Sequence, residues 1–293
     1  MCGEFIVSTH QNHCTTFARK SAITMASAPS APIVNPAELF SLAGKTAIVT
    51  GGTGGLGTAM TMALASGGAD IISIEMTDDP GSGNLRKSVQ AAGRNIKQYY
   101  CDIKYPKQLR ACYDKIWADG NKADILLNCA GVIRRAEAVD FTDEQIEDVL
   151  DINLKATLVS CQEFAKPLLK EERPGKIINI ASIISFIGGK NITPYAASKG
   201  GVMQLSKAFS NEWAEKGINV NSIHPGYFAT AMTEQYQTDP KYKSFNDYVM
   251  MRVPMKRWGN PIDLCGAVIF LASAASDFVT GTGILVDGGL MGH

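Results

Sequence analysis

Tyr195 and Lys199 stand in the stretch TPYAASKGG. Four residues apart on a helix, their side chains share one face. A free phenol titrates near about 10 and is a poor base at neutral pH. An ammonium beside it favours the phenolate and lowers that value. A Tyr-x-x-x-Lys pair can therefore exchange a proton with an alcohol or carbonyl oxygen. Ser182 ends the apolar run GKIINIAS ahead of this pair, and strand carboxyl ends are where open α/β sheets carry their sites. Asn153 lies in LDINLKA, inside a long helical pattern, although asparagine is a mediocre helix former. A cap or a side chain satisfied by backbone would explain either residue alone. The four together, with the glycine loop below, point to an active site.

The loop TGGTGGLG spans Thr50 to Gly57, between the β-branched run KTAIVT and a helical stretch. Glycines there let the backbone approach a pyrophosphate, and the helix N-terminus offers free N–H groups and a positive dipole end. The spacing is Thr50-Gly51-x-x-x-Gly55-x-Gly57, which differs from the plain Gly-x-Gly-x-x-Gly pattern. Glu75 ends the second strand, in ISIEMTDD, and no Arg or Lys lies in the glycine loop or directly after it. A carboxylate there accepts bonds from ribose hydroxyls and repels a 2′-phosphate. The expected cofactor is NAD in preference to NADP. A solvated strand end is the plainer alternative for Glu75. Arg134 and Arg135 stand side by side in NCAGVIRRAEAV, just after an apolar run. They are either an exposed loop or the holder of an anion. If the backbone there is extended, neighbouring side chains point opposite ways, so both cannot hold the same anion.

The elements that must position these residues read as a regular alternation. KTAIVT, ADIISIE, IKQYYCD, ADILLNCAG, GKIINIAS, INVNSIHPG and GTGILVDGG are seven strand-like runs. Helices are expected over roughly 56–66, 84–92, 106–118, 143–169 (in one or two pieces), 195–216 and 261–272. Nearly all-apolar strands alternating with helices imply a parallel sheet covered on both faces. The expected fold is α/β: a single doubly wound, Rossmann-type domain over residues 41–293 with a seven-stranded parallel sheet. The stretch 227–260 reads as irregular, and a loop that long in a compact domain is usually a functional lid. It carries Tyr227, Phe228, Met232, Tyr236, Tyr242, Phe245, Tyr248, Met250 and Met251, which could line a pocket or anchor the lid.

Composition narrows the function class. The chain has 293 residues, 45% of them apolar and 19% charged, with 28 basic and 28 acidic side chains. A zero formal charge gives no sign of nucleic-acid or membrane-surface binding, and no apolar run is long enough for a membrane span. Seven cysteines, an odd number with no Cys-x-x-Cys pair, fit a reducing, cytoplasmic setting. Residues 1–40 lack sustained periodicity and read as a flexible extension, with Met25 as a second candidate start. Residues 1–24 are poor in acids and hold Arg19 and Lys20, so organelle targeting is the alternative. His10 and His13 have ligand-like spacing, but no metal site is expected from them.

With these motifs in hand, the chain resembles the short-chain dehydrogenase/reductase family, the short single-domain kind, from GKTAIVTGGTGGLG to GILVDGG. The cofactor loop matches at Thr50, Gly51, Gly55 and Gly57, with Thr53 and Leu56 inside it. The Asn-Ala-Gly motif matches at Asn128, Ala130 and Gly131, with Cys129 where a second Asn is common. The catalytic Asn, Ser, Tyr and Lys match Asn153, Ser182, Tyr195 and Lys199, and Pro225, Gly226 and Thr230 match the motif after the sixth strand. Asp102 matches the adenine-contacting acid at the third strand end, followed by Ile103, and Phe228 completes the cofactor set. The resemblance implies that Tyr195 exchanges the proton with the substrate oxygen and Ser182 hydrogen-bonds that oxygen. It implies that Lys199 binds the nicotinamide ribose and tunes Tyr195, and that Asn153 holds a proton-relaying water. It also implies a homotetramer or homodimer acting on a small molecule.

Within the family the chain is most similar to the sugar-acid group, the gluconate 5-dehydrogenases and 2-deoxy-gluconate dehydrogenases. The shared marks are Ile-Arg-Arg after Asn-Cys-Ala-Gly, GKIINIAS, RWGNPIDL and VDGG. A sugar acid needs a cation at the cleft, and the planar fork of arginine suits a carboxylate. Arg135, the second position, is the expected holder because that group more consistently carries Arg there, with Ser182, Tyr195 and Tyr227 as the other substrate residues. A polyol or ketose reductase, a secondary-metabolism ketoreductase using the aromatic lid, and a catalytically idle NAD sensor or scaffold are the competing readings.

Overall fold

A computed structural model describes residues 34–231 and 233–292. The readings on Cys2, His10, His13, Cys14, Arg19, Lys20, Met25 and Met232 lie outside the described residues. The folded unit that carries the site starts at Pro36. A one-turn helix α1 (Pro36–Leu39) leads to the sheet, and the Phe40 ring packs 6.4 Å from that of Phe270. Residues 36–40 thus join the domain expected to begin at 41.

The first half runs β1 (Thr46–Thr50), α2 (Gly55–Ser66), β2 (Asp70–Glu75), α3 (Ser82–Ala91), β3 (Ile96–Tyr100), α4 (Pro106–Ala118) and β4 (Ile125–Asn128). The second half begins with α5 (Asp143–Leu150), α6 (Ala156–Lys170), β5 (Gly175–Ile180), α7 (Thr193–Trp213) and β6 (Ile218–Pro225). It ends with α8 (Glu234–Thr238), α9 (Lys243–Arg252), α10 (Cys265–Ala272) and β7 (Gly283–Val286). The seven strands form one all-parallel sheet in the order β3-β2-β1-β4-β5-β6-β7. The chain winds outward from β1 to β3, then crosses back to β4 on the other side of β1. Where the winding reverses, the β1 and β4 carboxyl ends open a crevice, the usual ligand site of such sheets.

Alternation along the strands explains why both faces are apolar. Ile48, Ile72, Leu126 and Ile177 face a core closed by Tyr113 and Ile116 of α4, Phe164 of α6 and Trp213 of α7. Their neighbours Val49, Ile71, Leu127 and Ile178 face the opposite core, closed by Met60 and Leu64 of α2, Leu85 of α3 and Val268 of α10. A period-two strand with apolar residues at every position can only be stable between two helix layers.

Two departures from the sequence expectation bear on the site. The helix expected over 143–169 is interrupted: a π-turn, Asp151–Lys155, separates α5 from α6 and has Asn153 at its middle. Single π-turns inside helices recur at functional sites. The stretch 227–260 is not irregular throughout, since α8 and α9 lie within it. Their sequences hide them: α8 has five residues, and in α9 only Val249 is fully buried, so no apolar stripe of helical period exists.

A buried polar chain ties α7 to the sheet. Asn128 Nδ2 donates to Asn179 Oδ1 at 2.9 Å, Asn179 Nδ2 donates to Ser206 Oγ at 3.0 Å, and Ser206 Oγ donates to the Val202 carbonyl at 2.9 Å. Cutting such a chain leaves buried donors and acceptors unpaired. Asn179→Ala is expected to lower unfolding stability by about 2–3 kcal/mol, read as a lower urea midpoint at unchanged m-value; an unshifted midpoint would show that the chain does not hold α7.

Candidate active site

The crevice begins where β1 and β4 end. Gly51 has a left-handed φ of 71°, and a Cβ there would lie 2.6 Å from the Ala130 backbone. A Cβ at Gly57 would overlap the Gly51 carbonyl oxygen. Only glycine fits either position, so the loop after β1 presses directly on the loop after β4 and on α2. Helix α2 starts at Gly55, with Gly54 as an N-cap that supplies no side-chain acceptor and no acid in the first turn. Its first N–H groups, from Gly55, Leu56 and Gly57, therefore remain for an anion. The Thr230 side chain lies over this spot, 3.1 Å from where a Gly55 Cβ would be. Asn128 Oδ1 is buried without a partner, and such an acceptor calls for a donor. Thr50, Ile103, Asn128 and Ala130 line a common wall. These observations fit a dinucleotide: pyrophosphate at the α2 N-terminus and the nicotinamide half beyond Ala130.

The rim carries the remaining expected cofactor residues. Thr53 Oγ1 donates to Asp79 Oδ2 at 2.6 Å, which ties the glycine loop to the turn after β2. Asp102, just past β3, accepts from the Lys104 backbone at 2.9 Å. At the far side Pro225 ends β6, the Gly226 N–H bonds the Val286 carbonyl at 2.9 Å, and Phe228 is buried against Gly259. Glu75 is only 4% exposed, and both its oxygens accept from Gln98 Nε2, at 3.1 and 3.0 Å. It is a buried anion with a specific partner, not a solvated strand end.

The polar cluster sits over the β4 and β5 carboxyl ends. Ser182 follows β5, and its Oγ accepts from the Ile184 N–H at 3.1 Å. The Ser182 hydroxyl lies near enough to the Tyr195 phenol to favour its ionised form. Lys199 is buried one turn along α7, its Nζ donating to the Ile180 carbonyl at 2.7 Å and lying 5.7 Å from the Tyr195 ring centre. Burial pushes its pKa down to about 8. Burial likewise raises the Tyr195 phenol above its ordinary value, against the lowering by the Ser182 hydroxyl and the Arg135 charge. The expected direction for Tyr195 is thus corrected. Desolvation outweighs the neighbours, and the charge that lowers the phenol is Arg135, while the Lys199 ammonium is drawn to a main-chain carbonyl. Asn153 faces Gly131 and Val132: its Oδ1 accepts from the Val132 N–H at 2.8 Å, and its Nδ2 donates to the Val132 carbonyl at 2.9 Å and to Ser198 Oγ at 3.1 Å. That amide is committed to holding the loop after β4.

The two arginines diverge. Arg134 donates to Asp148 Oδ2 at 3.1 Å, sharing that carboxylate with Lys104. The Arg135 guanidinium instead lies 5.5 Å from the Tyr236 ring centre of α8, and its charge acts on both Tyr195 and Tyr227. Tyr227 packs edge-on to Phe245 and Trp258 at 5.8 Å each.

The family model described as Enoyl-(Acyl carrier protein) reductase matches residues 51–291. The chain is 42% identical over 250 residues to the 2-dehydro-3-deoxy-D-gluconate 5-dehydrogenase of Escherichia coli (strain K12), covering 85% of this chain and 96% of that one. It is 36% identical over 254 residues to the 5-keto-D-gluconate 5-reductase of the same strain, covering 87% and 98%. Among solved structures, a gluconate 5-dehydrogenase from Burkholderia cenocepacia J2315 in complex with NADP and tartrate superposes with a TM-score of 0.82 at 36% identity, covering 88% of this chain and all of that one. The chain belongs to the short-chain dehydrogenase/reductase family. It is a nicotinamide-nucleotide-dependent oxidoreductase.

Two residues of this dehydrogenase's site carried no signal in the sequence. His224, fully buried in β6, has Nδ1 3.0 Å from the Ser182 carbonyl and Nε2 2.8 Å from Ser222 Oγ, and burial lowers its pKa. It backs Ser182 as a neutral ring. Gln98 holds Glu75 from the adjacent strand. His224 lies 42 residues from Ser182 and Gln98 lies 23 from Glu75, and neither contact belongs to a local pattern.

The Lys199 shift sets a pH dependence. Its folded pKa, about 8, lies below the unfolded value near 10.5. Below pH 8 both states bind the proton and the buried ammonium costs stability; from 8 to 10.5 only the unfolded state binds it, so stability rises with pH. Relative to Lys199→Met, the wild type is expected to gain on the order of 2–3 kcal/mol between pH 7 and pH 10, measured as the difference in urea unfolding free energy at each pH. A flat difference would show that the ammonium is not destabilised by burial.

Proposed function

We propose that this dehydrogenase interconverts a secondary alcohol and a ketone on a sugar acid, at the carbon four positions from the carboxylate, with NAD(H). The observation that carries the reading is the placement of Arg135. It is an exposed guanidinium beside the lid ring of Tyr236 whose charge acts on Tyr195. The 5-dehydrogenase and 5-reductase names of the two relatives put their redox carbon at that remove from the acid group. A carboxylate bound in the fork of Arg135 lays the chain of the sugar acid toward Ser182 and Tyr195, with Tyr227 beside it.

In this reading Ser182 donates a hydrogen bond to the substrate oxygen, and Tyr195 takes that oxygen's proton in oxidation or supplies it in reduction. His224 holds the Ser182 main chain. Lys199 binds the ribose hydroxyls next to the nicotinamide, and Asn153 fixes the loop from Gly131 to Val132 against which the ring would lie. When bound, the nicotinamide supplies the hydride acceptor or donor. The carboxylate of Glu75 favours NAD(H), because a 2′-phosphate would meet a buried negative charge. The Burkholderia cenocepacia relative was solved with NADP, so preference is a property to be read chain by chain.

The assembly we propose is a homodimer or homotetramer that covers β7. This strand is the last in the sheet, with Leu285 43% exposed and Phe278 nearby fully exposed, and an uncovered edge with apolar residues is a template for pairing. Light scattering is expected to give a multiple of the 31.4 kDa chain mass, and Phe278→Glu to shift it downward. A monomeric wild type would end this part of the reading. The described cysteines Cys101, Cys112, Cys129, Cys161 and Cys265 are free thiols, as a reducing, cytoplasmic compartment would keep them.

The functional reading is tested by turnover with NAD(H) and NADP(H) over sugar acids, uncharged ketoses and bulky ketones. Sugar acids with NAD(H) are expected to give the highest kcat/KM. Arg135→Ala is expected to lower kcat/KM for carboxylate substrates by roughly 100-fold, the loss of a bidentate charged contact, and to lower it for uncharged ketoses far less, only through the loss of its charge near Tyr195. Equal losses on both classes, or none, would move the reading to a ketose reductase or a ketoreductase of larger substrates.

A further inference from the structure

The Glu75 carboxylate does not end the account of the adenosine end. Gln98 Nε2 reaches both Glu75 oxygens and, at 2.7 and 3.1 Å, also Ser82 Oγ and the Ser82 carbonyl at the start of α3. Two amide hydrogens thus face four acceptors. On the other side of the same amide, Arg86 Nε donates to Gln98 Oε1. This bond fixes which end of the amide points at Glu75. A neutral side chain therefore separates a buried carboxylate from an exposed guanidinium. The nearby Asp79 is occupied by Thr53 and by the Gly81 N–H, at 2.6 and 2.8 Å, so it does not compete for Arg86.

We infer that Gln98 is the positioning residue that sets nucleotide choice in this chain, by keeping Arg86 from neutralising Glu75. The inference rests on the reading that the adenosine ribose lies at Glu75. With the amide in place, the partner of Glu75 is neutral and its oxygens keep spare acceptor capacity, which two ribose hydroxyls can fill. A 2′-phosphate meets that carboxylate with no compensation. Without the amide, the guanidinium on the adjacent turn can pair with Glu75 and present its other N–H groups outward, where they suit a phosphate.

The test is dissociation constants for NADH and NADPH, read from the dinucleotide fluorescence of the purified protein, so no substrate is needed. The wild-type ratio of the two constants tests the NAD reading. The change in that ratio on substitution tests this inference, whichever nucleotide the wild type prefers. Gln98→Ala is expected to move the ratio toward NADPH by roughly tenfold, about one charged hydrogen bond. Arg86→Ala in the Gln98→Ala background is expected to remove that gain. A ratio within about twofold of wild type in Gln98→Ala, or a gain that survives loss of Arg86, would overturn it. Should Gln98→Ala fail to fold, Gln98→Leu and Gln98→Met keep the bulk of the side chain without the amide and are judged by the same criterion. A merely structural role of Gln98 would weaken the binding of both nucleotides together and leave their ratio at the wild-type value.

Discussion

The approach of Gly51 to Ala130 is the constraint on which the site depends. The β1 and β4 loops meet there with no room for a side chain. This contact sets the width of the crevice and fixes where α2 starts, hence where its N–H groups point. It also carries Gly131 and Val132 to the π-turn, where Asn153 clamps them. The contact thus reaches from the phosphate end of the crevice to the polar cluster. A parallel sheet makes this economical, because every strand delivers its carboxyl end to the same edge.

Burial works against the charges the chemistry uses. It raises the Tyr195 phenol and lowers the Lys199 ammonium, so each group is pressed toward its neutral form. Ser182 and Arg135 oppose this for Tyr195. Their opposition differs in kind. Ser182 acts at short range, at the place where the substrate oxygen binds in the proposed function, whereas the Arg135 field acts through space and is screened by any anion that pairs with it. In the proposed function, the residue that selects the acid group therefore also couples its occupancy to the proton affinity of Tyr195.

How far the molecule was legible in the sequence follows from the range of each interaction. Strand runs and α4, read as residues 106–118, depend on local composition and period, and they stand where expected. The divergence of Arg134 and Arg135 was also legible, since it needs only an extended backbone. The break in the long helix left a weak sign, an asparagine at 153, but its π geometry is set by a clamp onto Val132. Helices α8 and α9 were hidden because Tyr236 of α8 packs on Phe245 of α9, and α9 packs in turn in a small cluster with Ile183 and Leu290, without an amphipathic period. The Glu75–Gln98–Arg86 line joins β2, β3 and α3. No local pattern reveals it, because the basic residue that bears on Glu75 stands on α3 and not directly after the strand.

Arg135 and the aromatic residues of α8 and α9 form one packed unit. Tyr236 of α8 lies 5.3 Å from Phe245 of α9 by ring centres, and Phe245 in turn contacts Tyr227 and Trp258. The same Tyr236 ring faces the Arg135 guanidinium. A cation against an aromatic face is stabilised most when both are desolvated. In the proposed function, closure of residues 227–260 removes water from this pair, with the packed rings of α8 and α9 carried as a set. The aromatic residues of the lid therefore need not touch substrate to affect it. By fixing where the Tyr236 ring lies, they fix how far the guanidinium reaches into the crevice. In the proposed function, that distance, measured from Tyr195, decides which carbon of a bound acid meets the reacting oxygen site.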